Sequence, residues 1–192
     1  MSNVIQLHKT KNSIKEHLQQ VETLMNRLAI SSSKTPMFLE ERGGQMLVDH
    51  LATGGKRIRA QLALSGAEAL GVSATKVISW AAAVELLHNA TLIHDDIQDG
   101  DETRRGQPTV WAKHGVAQAI NAGDLALMLP FLALPYLQTD DSTRWTLSWW
   151  LAEAAAKTVR GQVEELDLLE KGDLSKESYF RCVSGKTGGL LS

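Results

Sequence analysis

Carboxylate side chains are concentrated between residues 95 and 102, where five of the eight residues are Asp or Glu. They end a segment with helical spacing of its apolar residues, and Asp95 and Asp99 share one face because they are one turn apart. Negative charge at the negative end of a helix dipole is unfavourable unless a cation binds there. Carboxylates without a His or Cys partner set are typical ligands of magnesium. The pattern predicts a Mg²⁺ site at Asp95 and Asp99, and a solvated acidic surface is the alternative.

Basic side chains show the complementary anomaly at residues 54–59, which read GGKRIR. Lys56, Arg57 and Arg59 would lie at the positive end of a helix dipole, where cations are unfavourable unless an anion joins them. Exposed backbone N–H groups, the close approach that glycine permits and a guanidinium fork together suit a diphosphate. A Gly-Gly-Lys turn is common in loops, so the interpretation needs support from other basic residues.

Two further basic positions give that support. Arg104 and Arg105 directly follow the acidic cluster, and Lys186 with Thr187 adds a cation and a hydroxyl near the end of the sequence. Three basic positions around one metal site predict one or two substrates that are rich in phosphate. His88 lies two helical turns before the first aspartate on the same face, where it is either a ligand or a structural residue.

The elements that must position these residues are helices. Apolar residues recur at spacings of three and four, and no run alternates for long enough to predict a sheet, so we expect an all-α chain. A polar turn is expected at 100–108, and the last helix should begin at Leu174 or Ser175. The other predicted helices are 14–28, 37–51, 56–71, 75–98 and 142–170.

Residues 117–137 are almost wholly apolar, with Asp124 as the only charge. Pro130, Pro135 and this acid argue against a membrane span. An all-apolar helix in a globular chain is typical of a core or of an oligomer contact, and we favour a homodimer contact over a simple core helix. The tryptophans of the next helix are expected to serve packing rather than ligand binding.

Composition excludes some classes of function. The chain has 192 residues, with 20 basic and 22 acidic side chains and a net charge of −2, so no whole-molecule field attracts nucleic acid or anionic membranes. The single cysteine, Cys182, is expected to be a small half-buried residue. Residues 1–15 have no apolar signal segment, which favours a reduced, cytoplasmic protein. We expect one domain over residues 1–192, without a linker.

Together these motifs resemble those of the trans-isoprenyl diphosphate synthases, the polyprenyl synthetase family. The resemblance runs from about residue 40 to the end and corresponds to the N-terminal two-thirds of such an enzyme. It implies the all-α bundle of isoprenoid synthases and a dimer. The residues that carry it are 54–59, 85–108 with DDIQD and RRGQP, Gly123-Asp124, Gly161-Gln162 with Glu165, and Lys186-Thr187-Gly188.

The resemblance also implies roles for individual residues. Asp95 and Asp99 would bind Mg²⁺ with Asp96 in support, and both would be catalytic together with Lys186. Gln162 would contact the allylic site or its metals. The isopentenyl diphosphate would be held by Lys56, Arg59, His88 and Arg105, and the allylic diphosphate by Arg104, Lys186 and Thr187.

The implied reaction is prenyl chain elongation. Metal ions and cations stabilise the departing diphosphate, an allylic carbocation forms, and isopentenyl diphosphate attacks it. In the family a bulky aromatic residue four or five positions before the first aspartate often limits product length. Here Ala90 and Thr91 are small, so we expect the limit near Leu87 or Val84 and a product of twenty carbons or more.

One family feature is missing, because these 192 residues contain no second aspartate-rich motif. We expect the chain to be a fragment or truncated form of a longer enzyme, with little or no prenyl transfer by itself; loss of half the metal site is the other explanation. Two further functions stay open. One is a related terpene cyclase, and the other is a non-catalytic subunit of a heteromeric synthase.

Overall fold

A computed structural model describes residues 2–30, 40–172, 175–186 and 188–190 of the chain. Within these residues eight helices account for most of the structure, which confirms the all-α class. Short 3-10 turns occur at Ala74–Val77, Leu134–Tyr136 and Gly188–Leu190. The helices are α1 (Ser2–Ile30), α2 (Glu40–Ala52), α3 (Ile58–Ala69), α4 (Ile78–Gln98), α5 (Val110–His114), α6 (Val116–Ala133), α7 (Asp141–Lys171) and α8 (Lys176–Lys186).

The chain divides into two compact units, Met1–Gln138 and Thr139–Ser192, and each is described by itself. The single domain over residues 1–192 stays a prediction. In the second unit α7 packs against α8 and the final turn.

The core of the first unit is built around α4. Its contact with α6 is the most extensive in the chain, and it also packs against α1 and α3. Small side chains make this possible, because alanines let two helix backbones approach closely while larger residues fill the remaining space. The fully buried residues of this core include Ala81, Ala82, Ala83, Leu86 and Ala90 of α4, and Ala119, Ala122 and Ala126 of α6.

The apolar helix α6 is therefore a core helix on one side. Its other side leaves Val116, Ile120, Met128 and Leu132 exposed, so the homodimer contact stays a prediction. By length and composition the segment Val116–Tyr136 is long and apolar enough to cross a membrane, and 39% of its apolar 18-residue stretch is buried within the protein. Core helices of globular proteins pass the same criterion, so this is a weak indication.

A β-hairpin replaces the polar turn predicted at 100–108. Strands β1 (Thr103–Arg104) and β2 (Gln107–Pro108) pair antiparallel, and Arg105 and Gly106 between them have φ values of 53° and 77°. Two left-handed residues form a type I′ turn, whose twist matches that of paired strands. Strands of two residues are too short to produce an alternating pattern, so the sequence pattern missed them.

Other boundaries also differ from the predicted ones, most of all at the start of α1. α1 begins at Ser2 rather than Ile14, and α3 begins at Ile58 because Arg57 is in the left-handed region, which is incompatible with a helix. Residues 37–39 of the predicted second helix and the proposed start at Leu174 lie outside the described residues.

Candidate active site

The first functional cluster surrounds the start of α3, where the backbone turns through Gly54 and Gly55. Arg57 follows with φ of 48°, a conformation that residues other than glycine rarely adopt. Its buried guanidinium donates to Glu22 Oε1 at 3.0 Å and to the carbonyl oxygen of Leu51 at 2.8 Å. Arg57 therefore ties the start of α3 to α1 and α2 and has a structural role.

The start of α3 receives its capping group from another helix. Arg57, the residue before the helix, makes no capping hydrogen bond with its side chain. Instead Glu85 of α4, only 4% exposed, accepts a hydrogen bond at Oε2 from the backbone N–H of Ala60 at 3.2 Å. A carboxylate is favourable at this end of a helix dipole. The sequence predicts an anion at the start of α3, and the carboxylate of Glu85 supplies part of that negative charge.

Arg105 reaches the same place from the hairpin turn. A Cβ added to Gly55 would lie 2.7 Å from Nη1 of Arg105 and 2.9 Å from Cζ and Nη2, so the guanidinium rests on the backbone of Gly55. Arg57 and Arg105 are the two residues other than glycine with positive φ in the described part of the chain. Such strained positions tend to occur at functional sites.

Arg59 and His88 complete this group. Burial, together with the positive charges of Arg59 and Arg105, lowers the pKa of His88 to about 3, so its imidazole is neutral at pH 7. Burial also lowers the pKa of Arg59, while the charge of Glu85 opposes that shift. Lys56 is exposed beside them. We call Gly55, Lys56, Arg59, His88 and Arg105 the cationic cradle.

A second buried histidine, His50, lies near the arginines around the cradle. His50, at the end of α2, is buried, and burial with the positive charges of Arg104 and Arg105 lowers its pKa to about 4. It lies beside Asn89, whose Nδ2 donates to the carbonyl oxygen of Glu85 at 2.7 Å. Two neutral imidazoles therefore accompany the arginines, which limits the positive charge in the free protein.

The carboxylates at the end of α4 divide into two kinds. The backbone N–H of Asp99 donates to the carbonyl oxygen of Asp95 at 2.8 Å, so these side chains start one turn apart on one face, half-buried and exposed respectively. Asp96 is 1% exposed, and its Oδ1 accepts from Arg104 Nε at 2.8 Å and Nη2 at 2.5 Å. Burial raises the pKa of Asp96, and the hydrogen bond from Arg104 opposes this. Asp96 therefore holds Arg104.

Asp95 and Asp99 suit a metal ion whose other ligands do not come from the protein. No three His, Cys, Asp or Glu side chains come together as a metal site in the described ranges. Two carboxylates on one face nevertheless fit magnesium, which takes one or two protein carboxylates and fills its other positions with water and substrate phosphate. Asp96 fits this role less well, because its carboxylate is buried against Arg104.

The second unit carries the other predicted residues. Nζ of Lys186, the last residue of α8, lies 2.5 Å from Glu165 Oε2 of α7. Gln162 is 8% exposed, and neither its Nε2 nor its Oε1 has a hydrogen-bond partner within the described residues. A buried amide without partners is unfavourable, which makes Gln162 a candidate to contact a polar ligand. Thr187 lies outside the described residues.

Gly161, next to Gln162, is required by the packing of α7 on α8. A Cβ at this position would lie 2.3 Å from the backbone nitrogen of Lys186 and 2.7 Å from the carbonyl carbon of Gly185. Cys182 packs at the same crossing, with Sγ 3.8 Å from the carbonyl oxygen of Gly161, and burial raises the pKa of its thiol. Cys182 is thus a packing residue, and it is buried rather than half-buried as the sequence predicted.

The family model for "Polyprenyl synthetase" matches residues 42–192 of this sequence. The chain belongs to the polyprenyl synthetase family. It is 37% identical over 145 residues to the short chain isoprenyl diphosphate synthase of Methanothermobacter thermautotrophicus, covering 75% of this chain and 44% of that protein. It is 33% identical over 174 residues to the geranylgeranyl pyrophosphate synthase of Geoglobus acetivorans, covering 88% and 54%.

The fold agrees with that of solved family members. The crystal structure of geranylgeranyl pyrophosphate synthetase from Pyrococcus horikoshii matches with a TM-score of 0.86 and 32% identity, covering 96% of this chain and 55% of that one. The chain spans about half the length of the curated relatives it matches.

Sequence reasoning missed Glu85 and His50 as parts of this site, and it grouped Arg57 with the diphosphate-binding cations instead of giving it a structural role. One signal for Glu85 was available, since it is the only charged residue in an Ala- and Leu-rich segment and lies one turn before His88. A carboxylate in such a segment needs a partner when it is buried. Glu22, which pairs with Arg57, and Asn89, which lies beside His50, are both far along the sequence, so no local pattern marks these roles.

Proposed function

We propose that this chain carries the diphosphate-binding and first metal-binding parts of a prenyltransferase that condenses isopentenyl diphosphate with an allylic diphosphate. The observation that carries the proposal is that Arg105 rests on the backbone of Gly55 while its charge and that of Arg59 both act on the buried His88. Arg104 links this cradle to the carboxylates, because it is held by Asp96 and attracted by Asp95. Cations beside a two-carboxylate site suit substrates that carry diphosphate groups.

In this proposal the cationic cradle holds isopentenyl diphosphate. Lys56, Arg59 and Arg105 supply positive charge, and the neutral His88 donates a hydrogen bond. A diphosphate beside His88 raises its pKa from the low value of the free protein, because opposite charge favours the protonated form. The double bond of the substrate then attacks an allylic carbocation whose position is fixed by the neighbouring site.

The allylic diphosphate is proposed to bind on the side of Asp95 and Asp99. These two carboxylates would hold Mg²⁺, which when bound stabilises the negative charge of the departing diphosphate. Asp96 orients Arg104 toward this side. The family resemblance also assigns Lys186, Thr187 and Gln162 to the allylic diphosphate, and these roles are proposed on that ground alone. Proton loss after attack gives a product that is one five-carbon unit longer.

The cradle can be tested without the metal. Isopentenyl diphosphate in EDTA-containing buffer should bind the chain in isothermal titration calorimetry. Arg59→Gln should weaken this binding by roughly 10- to 100-fold, the effect of one hydrogen bond to a charged group. Lys76→Gln removes an exposed cation from the same unit and is the control. Equal affinities of both variants, or no binding to the unmodified chain, would contradict the proposal.

A second titration tests the metal side. Binding of farnesyl diphosphate should require Mg²⁺ and should be lost in Asp95→Asn, while the Mg²⁺-independent binding of isopentenyl diphosphate stays within about twofold. Loss of both ligands in this variant would contradict two separate sites. Dependence of product formation on isopentenyl diphosphate separates chain elongation from a terpene cyclase, which needs no second substrate.

Product length remains part of the proposal at twenty carbons or more. Ala90 is fully buried against the core, whereas Thr91 is half-buried and its hydroxyl donates to the carbonyl oxygen of His88 at 2.8 Å. Thr91→Phe is therefore the better test, because an aromatic ring there does not have to displace the core. It should shorten the product in any preparation that turns over, and an unchanged distribution would contradict the expected position of the limit.

The homodimer and the cytoplasmic location also remain proposals. The exposed apolar side of α6 supports a contact between two copies. Ile120→Glu should then convert a dimer to a monomer in sedimentation equilibrium. The same change at exposed Leu70 on the end of α3 is the matched control, and a monomeric unmodified chain would contradict the proposal.

A further inference from the structure

Glu85 has no ligand-binding role in the proposed function, yet it is buried beside the cationic cradle. It lies on α4 among Ala83, Leu86 and Leu87, which are also buried. A carboxylate in such surroundings is unfavourable unless it is hydrogen-bonded or paired with charge. Its contacts therefore indicate why the position needs an acid.

The first contact joins two helices. Glu85 Oε2 accepts from the backbone N–H of Ala60, the third residue of α3. The first N–H groups of a helix have no partner within the helix and must be satisfied from outside. Because Arg57 offers no capping side chain, Glu85 is what links this end of α3 to α4.

The second contact is electrostatic and involves the cradle itself. The charge of Glu85 acts on Arg59 and on Arg105, the two guanidinium groups that approach from α3 and from the hairpin. Nε of Arg59 is buried without a hydrogen-bond partner in the described part of the chain. Glu85 thus lies where it can fix both the backbone that carries Arg59 and the direction of the two cations.

We propose that Glu85 is a positioning residue of the cationic cradle, which acts by holding the first turn of α3 so that Arg59 and Arg105 face one diphosphate. This inference rests on the proposed function, because it assumes that the cradle binds isopentenyl diphosphate. It adds that ligand binding depends more on the hydrogen bond between the Glu85 side chain and the Ala60 N–H than on the negative charge of Glu85. Preorganised groups bind more tightly because less freedom is lost on binding.

Two variants of Glu85 separate the effect of side-chain length from the effect of negative charge. Glu85→Gln keeps the length of the side chain and an acceptor oxygen but loses the charge, while Glu85→Asp keeps the charge but is too short to reach the Ala60 N–H. Calorimetry with isopentenyl diphosphate in EDTA should find roughly tenfold weaker binding for Glu85→Asp and a change within about threefold for Glu85→Gln. Glu68→Gln, at the other end of α3, is the control and should bind normally.

Hydrogen exchange gives a readout that is independent of ligand. The Ala60 amide should be protected in the unmodified chain and in Glu85→Gln, and should exchange faster in Glu85→Asp. Tighter binding by Glu85→Gln with normal binding by Glu85→Asp would show a mere counter-charge and overturn the proposal. Normal binding by both variants with a lower melting temperature would also overturn it, since the cap would then be only structural. Absence of binding to the unmodified chain would overturn the proposed function and this inference together.

Discussion

The start of α3 and the end of α4 both carry charge of the sign that a helix dipole disfavours, but the protein treats them differently. At the start of α3 the charges are fixed internally, since Arg57 is bound by Glu22 and the helix is capped by Glu85. At the end of α4 the buried Asp96 is held by Arg104, whereas Asp99 is exposed. The start of α3 is therefore organised in the free protein, while the end of α4 presents an exposed carboxylate.

This difference suggests how the two ligands would be bound. A cradle of cations can be built in advance, because buried carboxylates and neutral histidines reduce repulsion among the arginines. A magnesium site of two carboxylates is completed by water and substrate phosphate, so it needs fewer fixed partners. The asymmetry therefore predicts that substitutions within the cationic cradle act on stability and binding together, while those at exposed carboxylates of α4 act mainly on binding.

The largest effect is expected at the pair of Arg104 and Asp96 at the α4 end. Arg104→Ala leaves the buried carboxylate of Asp96 without compensation, which should lower the free energy of unfolding by about 3–5 kcal/mol at pH 7. Asp96→Asn in the same chain should recover much of the loss, because no charge is then buried. Urea unfolding measures both variants. Lys113→Ala removes the more exposed pair with Asp49 and should cost under about 1 kcal/mol; an equal loss would contradict the assignment.

The next largest effect is expected on acidification, which should lower the stability of the protein through the buried histidines near the cradle. The pKa of His50 is lowered from 6.5 to about 4 in the folded protein, so the unfolded chain binds more protons between these values. Stability is therefore lost as pH falls from 6.5 to 4, by up to roughly 3 kcal/mol from this residue. The free energy of unfolding should be measured in urea across this range. Its slope against pH should correspond to about one fewer proton taken up on unfolding in His50→Gln than in the unmodified chain. The remaining slope includes His88, and an unchanged slope would place the neutral histidine elsewhere.

Substitutions at Gly54 and Gly55 separate the effect of backbone strain from that of a clash with Arg105. Gly54→Ala introduces left-handed strain at φ of 84° with no neighbouring atom within 4 Å, and should lower stability by about 1 kcal/mol. Gly55→Ala adds a clash with the guanidinium of Arg105. It should lower stability further, to about 2 kcal/mol in total, and weaken isopentenyl diphosphate binding, which Gly54→Ala should not. Calorimetry and thermal unfolding of both variants test this, and equal binding would contradict the placement of Arg105.

Much of this comparison could be predicted from local sequence. Spacing gave the all-α class, and dipole arguments identified both helix ends. The compensating residues could not be found in that way, because Arg57 meets Glu22 across 35 positions and Ala60 meets Glu85 across 25. Such pairs depend on how α1, α3 and α4 pack. The hairpin was missed for another reason, since its turn is made by an Arg-Gly pair rather than by the Asn-Gly or Asp-Gly that predicts it most strongly.

The smallest change in stability should have the opposite sign and occur at Asp99. Its carboxylate is exposed at the negative end of the α4 dipole, so Asp99→Asn should raise the free energy of unfolding by about 0.3–1 kcal/mol. The same variant should lose Mg²⁺-dependent binding of farnesyl diphosphate, because one of the two proposed ligands is gone. Gain of stability with loss of binding is expected where a charge is kept for function at the expense of the fold. Asp101→Asn removes a nearby exposed carboxylate and should leave Mg²⁺-dependent binding unchanged; equal loss in both variants would mean that general negative charge, rather than a site at Asp95 and Asp99, attracts the metal.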